Sequence, residues 1–236
     1  MADEKLPEKT GTSAEIEAFL RKVAAAPPPP RTESAGRLMF ALDATASRQP
    51  TWDRACHIQG EMFTAAASAG RLEVQLVFYR GFGECRSTAW VADAGELARL
   101  MGKVSCVGGQ TQIARVLSHA AKETAKKKVN ALVFVGDACE EDADHLCHLA
   151  GQLGLQGVPV FVFHEGGDPA VRYVFAQIAK LSGGAYCPFD AASARQLQDL
   201  LRAVAVYAAG GRRALELHAK GASEPVLRLT RQLGKA

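Results

Sequence analysis

Three short apolar runs restrict what this chain can fold into. Leu38–Leu42, Ala131–Val135 and Val158–Phe163 are strand-length stretches of almost unbroken aliphatic and aromatic side chains. A strand that is apolar on both faces must be covered on both, as in a parallel sheet flanked by helices. The segments between the runs can supply that cover. Ile113, Val116, Leu117, Ala120 and Ala121 recur at helical spacing and predict a helix over Ile113–Lys126. Similar patterns predict helices over Trp52–Ser68, Asp93–Met101, Asp142–Leu153, Ala170–Leu181 and Ser193–Ala208. Leu72–Tyr79 alternates and reads as a second strand. Arg80-Gly-Phe-Gly-Glu84 then has the glycines of a hairpin, so Arg86–Val91 is expected to run antiparallel to it. Ala185–Pro188 makes a last short strand. Gly210-Gly211 is expected to end the long helix, and Ser223-Glu-Pro225 to open a terminal one reaching Leu233. The alternation predicts an α/β fold: a doubly wound, mostly parallel central sheet with helices on both faces.

A length of 236 residues suits one domain with tails. Residues 1–11 are charged, lack an apolar face and are expected to be a disordered tail. Residues 12–23 predict an amphipathic helix. Thr12-Ser-Ala-Glu15 forms a capping box, and Ile16, Phe19, Leu20 and Val23 form one stripe. Residues 24–36 are a proline-rich linker, because four consecutive prolines stop a helix and favour an extended spacer. The helix therefore either packs back onto its own domain or docks in a partner groove. The domain proper spans 37–210, and 211–236 is a C-terminal extension with a short helix.

A net charge of +3 argues against nucleic acid and against an anionic membrane as partners. The run Lys126-Lys127-Lys128 suits the end of a helix, where cations oppose the macrodipole. No apolar stretch is long enough to span a bilayer. The polar opening Met1-Ala-Asp-Glu-Lys5 lacks a secretory pattern, so a cytoplasmic location is expected. The six scattered cysteines then read as reduced thiols, mostly small core residues. There is no G-x-S-x-G elbow. Gly102-Lys103 leads into Val104 without the upstream glycine of a phosphate loop, and Gly81-Phe-Gly83 lies in a hairpin and lacks a third glycine.

In a doubly wound sheet the working residues sit at the carboxyl ends of the strands. The first strand here runs into Asp43-Ala-Thr45-Ala-Ser47. The loop Gly108-Gly-Gln-Thr111 precedes a helix, and the fourth strand ends in Gly136-Asp137-Ala138. Each residue alone is an ordinary cap or turn residue. Together they place two carboxylates and three hydroxyls at one edge, without histidine or cysteine. An all-oxygen set selects a hard divalent cation, Mg2+ first and then Mn2+ or Ca2+. Two carboxylates do not saturate such an ion, so water or an outside carboxylate can take an open position.

These residues resemble the pattern of a von Willebrand factor A-type (VWA) domain with a metal-ion-dependent adhesion site. That pattern is Asp-x-Ser-x-Ser after the first strand, a Thr after a glycine-rich loop, and an Asp after the fourth strand. The resemblance covers Arg37 to Gly210 and departs at Thr45, where serine is usual. It implies one antiparallel edge strand, direct ligation by Thr45, Ser47 and Thr111, and Asp43 and Asp137 as holders of bound water or as ligands. It also implies a protein partner with an exposed Asp or Glu, a binding role rather than catalysis, and work beside an ATPase or chaperone. Two other readings stand beside it. One is a low-activity Mg2+ phosphohydrolase using Asp43, although Thr45 holds the position where such enzymes need a second acid to protonate the leaving group. The other is a scaffold on the same fold whose contacts ignore metal. Glu140, Glu141, Asp142 and Asp144 read as acids at a helix N-terminus or as an acidic rim. Arg48, Arg80, Phe82, His164 and Phe189 are expected on loops at the carboxyl edge as partner contacts.

Overall fold

β1 (Gly36–Asp43) is buried along its whole length, as its apolar run requires. It lies at the middle of a six-stranded sheet in the computed structural model, which describes residues 35–189 and 194–233. The expected tail 1–11, the helix 12–23 and most of the linker 24–36 lie outside the described residues. The other strands are β2 (Leu72–Arg80), β3 (Glu84–Ser87), β4 (Ala131–Gly136), β5 (Val160–Glu165) and β6 (Ala185–Phe189). Their order is β3-β2-β1-β4-β5-β6. All neighbours are parallel except β2 and β3, so the sheet is mostly parallel with one antiparallel edge strand.

The two faces follow from strand alternation. Leu38, Phe40 and Leu42 of β1 share one core with Leu76, Phe78, Val133, Val135, Phe161 and Phe163. That face is covered by α1 (Gln49–Ile58), α2 (Gly60–Ala66), α3 (Ala94–Met101), α7 (Ala194–His218) and α8 (Glu224–Gln232). Met39 and Ala41 point the other way, with Val77, Tyr79, Leu132, Phe134, Val160 and Val162. They meet α4 (Ile113–Lys126), α5 (Ala143–Leu155) and α6 (Pro169–Leu181). Each fully buried Leu or Phe contributes about 1.5–3 kcal/mol relative to exposure. A one-residue slip of β1 would therefore exchange its two faces and lose several such contributions.

Three local differences from the sequence expectation stand out. The helix expected over Trp52–Ser68 is two helices meeting at Gln59. There Met62 N–H donates to Gln59 O at 3.2 Å, an i→i+3 bond, and Gly60 follows. β3 spans Glu84–Ser87 rather than Arg86–Val91: pairing starts at Arg80 with Glu84, and its regular part stops after Ser87, where Leu76 N–H donates to the Thr88 hydroxyl at 3.2 Å in place of a strand carbonyl. Beyond Ser87, Thr88 N–H still donates to Leu76 O at 2.9 Å, and a bridge between Val74 and Val91 follows. As expected, Gly211 ends the first helical stretch of α7: its φ of 71° and ψ of −169° are non-helical, a region that glycine enters without steric cost, and a second helix follows across the kink to His218. The chain beyond the kink returns Leu215, Val226 and Leu229 to the α7 side of the sheet, where all three are buried. Finally, of the six cysteines only Cys187 is buried; the other five are half-exposed, and all six are free thiols.

Candidate functional site

The chain leaves β1 toward β2 and β3, then returns to β4 on the opposite side of β1. This reversal opens a crevice at the carboxyl ends of β1 and β4. Pairing of Leu42 with Val135 brings the two strand ends side by side, so Asp43 and Asp137 share that edge. Asp43 is almost fully buried, and its Oδ1 accepts the Thr45 N–H at 2.7 Å. That turn sends Ala44 into the core and brings Thr45 back toward the edge. Thr45 Oγ1 lies 3.3 Å from Ser47 Oγ, and Ser47 Oγ donates to Asp137 Oδ2 at 3.2 Å. Four of the five residues singled out by sequence therefore form one connected cluster.

Thr111 is directed elsewhere. Its hydroxyl donates to Glu140 Oε2 at 2.7 Å and its N–H to the same oxygen at 3.0 Å, while Glu140 N–H returns a bond to the hydroxyl at 3.3 Å. Glu141 accepts the Ile113 and Ala114 N–H groups and so caps α4 from a distant loop. Asp142 caps α5 by accepting His145 N–H at 2.7 Å. The acids after Asp137 thus serve two helix N-termini, one of them non-local. The Thr111 loop is held on both sides. Val107 N–H donates to Ala44 O at 3.0 Å and Gln110 N–H to Gly81 O at 3.1 Å. Gly109 approaches Gly81 so closely that a Cβ there would lie 2.1 Å from Gly81 O, so the approach needs glycine at 109.

Asp43 Oδ2 is buried with no hydrogen-bond partner among the described residues. Tyr79, its register partner on β2, presents an equally buried hydroxyl toward Asp43, without a well-formed hydrogen bond but near enough for the carboxylate to help hold the phenol proton. Burial raises the Asp43 carboxyl above the usual range. The Thr45 N–H bond and the Arg48 charge pull it down, and the Asp137 charge pushes it further up. Burial also raises the Tyr79 phenol well above its ordinary value, with the charge of Asp43 and its hydrogen-bonding pull on the phenol adding to the effect.

Sequence reasoning placed Arg48 on a loop as a partner contact, but its side chain is 3% exposed. Nη1 lies 3.8 Å from Asp137 Oδ2, and Nη2 pairs by charge with Glu165 Oε2, which also accepts the Thr51 hydroxyl. Neither Arg48 Nε nor Nη2 has a hydrogen-bond partner, so the pairing with Glu165 is one of charge and close contact. The available signals were position alone: Arg48 follows Ser47 directly, and Glu165 ends β5. Of the other expected contacts, His164 is fully buried and lies 2.8 Å from Tyr186 Oη through Nδ1, and Phe189 is buried. Arg80 pairs with Glu84 and donates to Ser105 O. Phe82 alone among the five is strongly exposed, at 83%.

Ser47 and Asp137 open onto a cleft of about 790 Å³ whose walls include Glu165, Gly166, Asp168 and Phe189. Asp168 is engaged as the cap of α6, accepting Ala170 N–H at 2.7 Å. Among the described residues no group of three or more His, Cys, Asp or Glu side chains is disposed to hold a metal. Any cation here would depend on hydroxyls as well as carboxylates. Asp43, Thr45, Ser47 and Asp137 fit that requirement: all are hard oxygen donors, and one carboxylate oxygen is buried without a partner.

No protein-family model matches the sequence, and no curated protein matches it significantly. The fold, by contrast, is shared with solved structures. A von Willebrand factor type A protein from Catenulispora acidiphila superposes with a TM-score of 0.61 at 15% identity, over 75% of this chain and 43% of that one. The SpRpn10 VWA domain gives 0.55 at 15% identity, over 75% of this chain and 98% of that domain. Proximal thread matrix protein 1 from the mussel byssus, with a zinc-occupied MIDAS motif, gives 0.53 at 14% identity, over 72% of this chain and 46% of that one. The chain thus spans less than half of two of these proteins and nearly all of the third. At these identities the likeness establishes the fold: a six-stranded α/β sheet of the VWA type.

Proposed function

We propose that this chain is a divalent-metal-dependent protein–protein interaction module that takes an exposed Asp or Glu of a partner as an outside ligand of the ion. The observation that carries this reading is the connected cluster Asp43–Thr45–Ser47–Asp137, which opens on a cleft and contains a buried carboxylate oxygen without a partner. A divalent ion there, Mg2+ or else Mn2+ or Ca2+, would supply the positive charge that the buried Asp43 carboxylate lacks. The ion would be held by Asp43, Thr45, Ser47 and Asp137. Thr111 would join them by leaving Glu140. The location that fits this reading is the cytoplasm. Among the described residues no helix is long and apolar enough to cross a membrane. The MIDAS named in the mussel protein is occupied by zinc, so the resident ion is a point for direct measurement.

Saturating Mg2+ should raise the melting temperature of the wild type by ~5 °C or more and leave Asp43→Ala unmoved. Equal shifts in both proteins, or none in either, would remove the metal site from the proposal. Partner capture with Mg2+ should exceed capture in EDTA. Equal capture would favour a metal-independent scaffold, and metal-dependent phosphatase turnover lost in Asp43→Asn would favour the hydrolase reading.

A further inference from the structure

The cluster that would hold a cation already has one beside it. Arg48 is nearly inaccessible to solvent, and its guanidinium stands between two carboxylates that both line the cleft, Asp137 and Glu165. The two attachments are unequal. Toward Glu165 the guanidinium is in close contact, a charge pairing without a formed hydrogen bond, and Thr51 steadies that carboxylate through its hydroxyl. Toward Asp137 the nearest approach is 3.8 Å, a charge interaction too long for a hydrogen bond. The Asp137 oxygen involved, Oδ2, is the one that accepts Ser47 Oγ. An arginine cannot shed its charge at any physiological pH. It therefore offers Asp137 permanent partial neutralisation in a setting where water screens poorly.

We infer that Arg48 is a built-in competitor of the metal for Asp137, and that Glu165, braced by Thr51, holds the guanidinium back far enough for the ion to bind. This rests on the metal reading proposed above and adds its regulation: affinity is set by how the guanidinium is shared between β4 and β5. Release of Arg48 from Glu165 moves positive charge toward Asp137 and weakens metal binding. Loss of the guanidinium strengthens it. The residues act through Asp137, so both are positioning residues for the ion.

The inference makes a sign prediction that general damage to the fold would not reproduce. Titration of Mg2+ by calorimetry, and of Mn2+ by electron paramagnetic resonance, at fixed ionic strength should show tighter binding in Arg48→Gln, by roughly ten-fold or more. Glu165→Gln should bind more weakly than wild type by a similar factor. The double variant Arg48→Gln/Glu165→Gln keeps the net charge of the wild type and should still bind more tightly than it. Circular dichroism and melting curves identify any variant that does not fold, and the remaining variants keep the test decisive. Equal affinity in the double variant and the wild type would overturn the inference, because net charge alone would then explain the singles. Metal binding in the wild type that is lost in Asp43→Asn but unchanged in Arg48→Gln would also overturn it, with the metal site left standing. Binding in no variant at all would overturn both the site and its regulation. Binding gained only on removal of Arg48 would support the inference in its strongest form.

Discussion

Two buried arginines flank β1, and their surroundings differ in kind. Arg37 lies near the amino end of the strand. Its Nε pairs with Glu73 at 3.3 Å, its Nη1 donates to Lys127 O at 3.1 Å, and its guanidinium sits 3.7 Å over the Trp90 ring. Trp90 in turn donates to Glu123 at 2.9 Å, and Glu123 is also bonded by Lys126. Those bonds, the Lys126 one first, hold the Glu123 carboxyl below its usual range. At this end the guanidinium meets a carboxylate, a carbonyl and an aromatic face, although Arg37 Nε is itself buried without a hydrogen bond, and the group ties β1 and β2 to the end of α4. Arg48 lies beyond the carboxyl end, where Asp43 Oδ2, Tyr79 Oη and both Nε and Nη2 of Arg48 are buried without hydrogen bonds. A buried polar group left so costs about 1–3 kcal/mol. The contrast is one of degree: the polar groups around Arg37 leave one buried atom without a hydrogen bond, and those of Asp43, Tyr79 and Arg48 leave four.

The largest expected effect tests the closed end. Arg37→Ala should cost about 2–3 kcal/mol of stability in urea denaturation, through the lost ion pair and the lost cation–π contact, with metal affinity unchanged. A change in metal affinity would mean that the two ends are not independent.

Asp43→Asn should move the other way. It removes a buried charge while keeping an acceptor for Thr45 N–H, so in EDTA it should gain ~1 kcal/mol, about 2–4 °C in melting temperature, while losing its response to Mg2+. The pH dependence carries the same sign. The folded state raises the Asp43 carboxyl, so the native protein holds its proton more tightly than the unfolded chain. The contribution of Asp43 to stability then falls as pH rises above the unfolded value of about 4, and the substitution removes that dependence. A loss of stability as large as that of Arg37→Ala would show the edge to be structural after all.

The smallest effect concerns His164, whose pKa is lowered by burial first and then by the Arg172 charge. The native state disfavours the imidazolium, so the contribution of His164 is present above the unfolded value of about 6.5 and is lost as pH falls below it. His164→Gln should flatten the decline in stability between about pH 6.5 and 5, by ~1 kcal/mol or less. An unchanged slope would place the acid sensitivity elsewhere on the edge.

Local pattern carried far in this chain. The helix expected over Ile113–Lys126 has those bounds in the structure, because its apolar spacing and its lysine run act within one element. The parallel sheet followed from runs that had to be buried on both faces, and the hairpin from the glycines around Phe82. Where a partner from another element decides, local pattern was insufficient. The Thr88 hydroxyl, in place of a strand carbonyl, takes the Leu76 N–H and ends the regular pairing of β3.

The same division runs through the site. Asp43, Thr45, Ser47 and Asp137 were legible because strand alternation and the carboxyl-edge rule fix where short polar residues after a strand must lie. The sequence by itself thus determined the sheet and the edge at which its chemistry gathers. Only the tertiary structure decided which oxygen answers which. It turned the Thr111 hydroxyl to Glu140 across 29 positions, and it set Arg48 against Glu165 and Asp137 from strands far along the chain. The physical reason is range: burial and periodicity act along neighbouring residues, whereas the pairing of charges depends on separations in space that only the assembled sheet supplies.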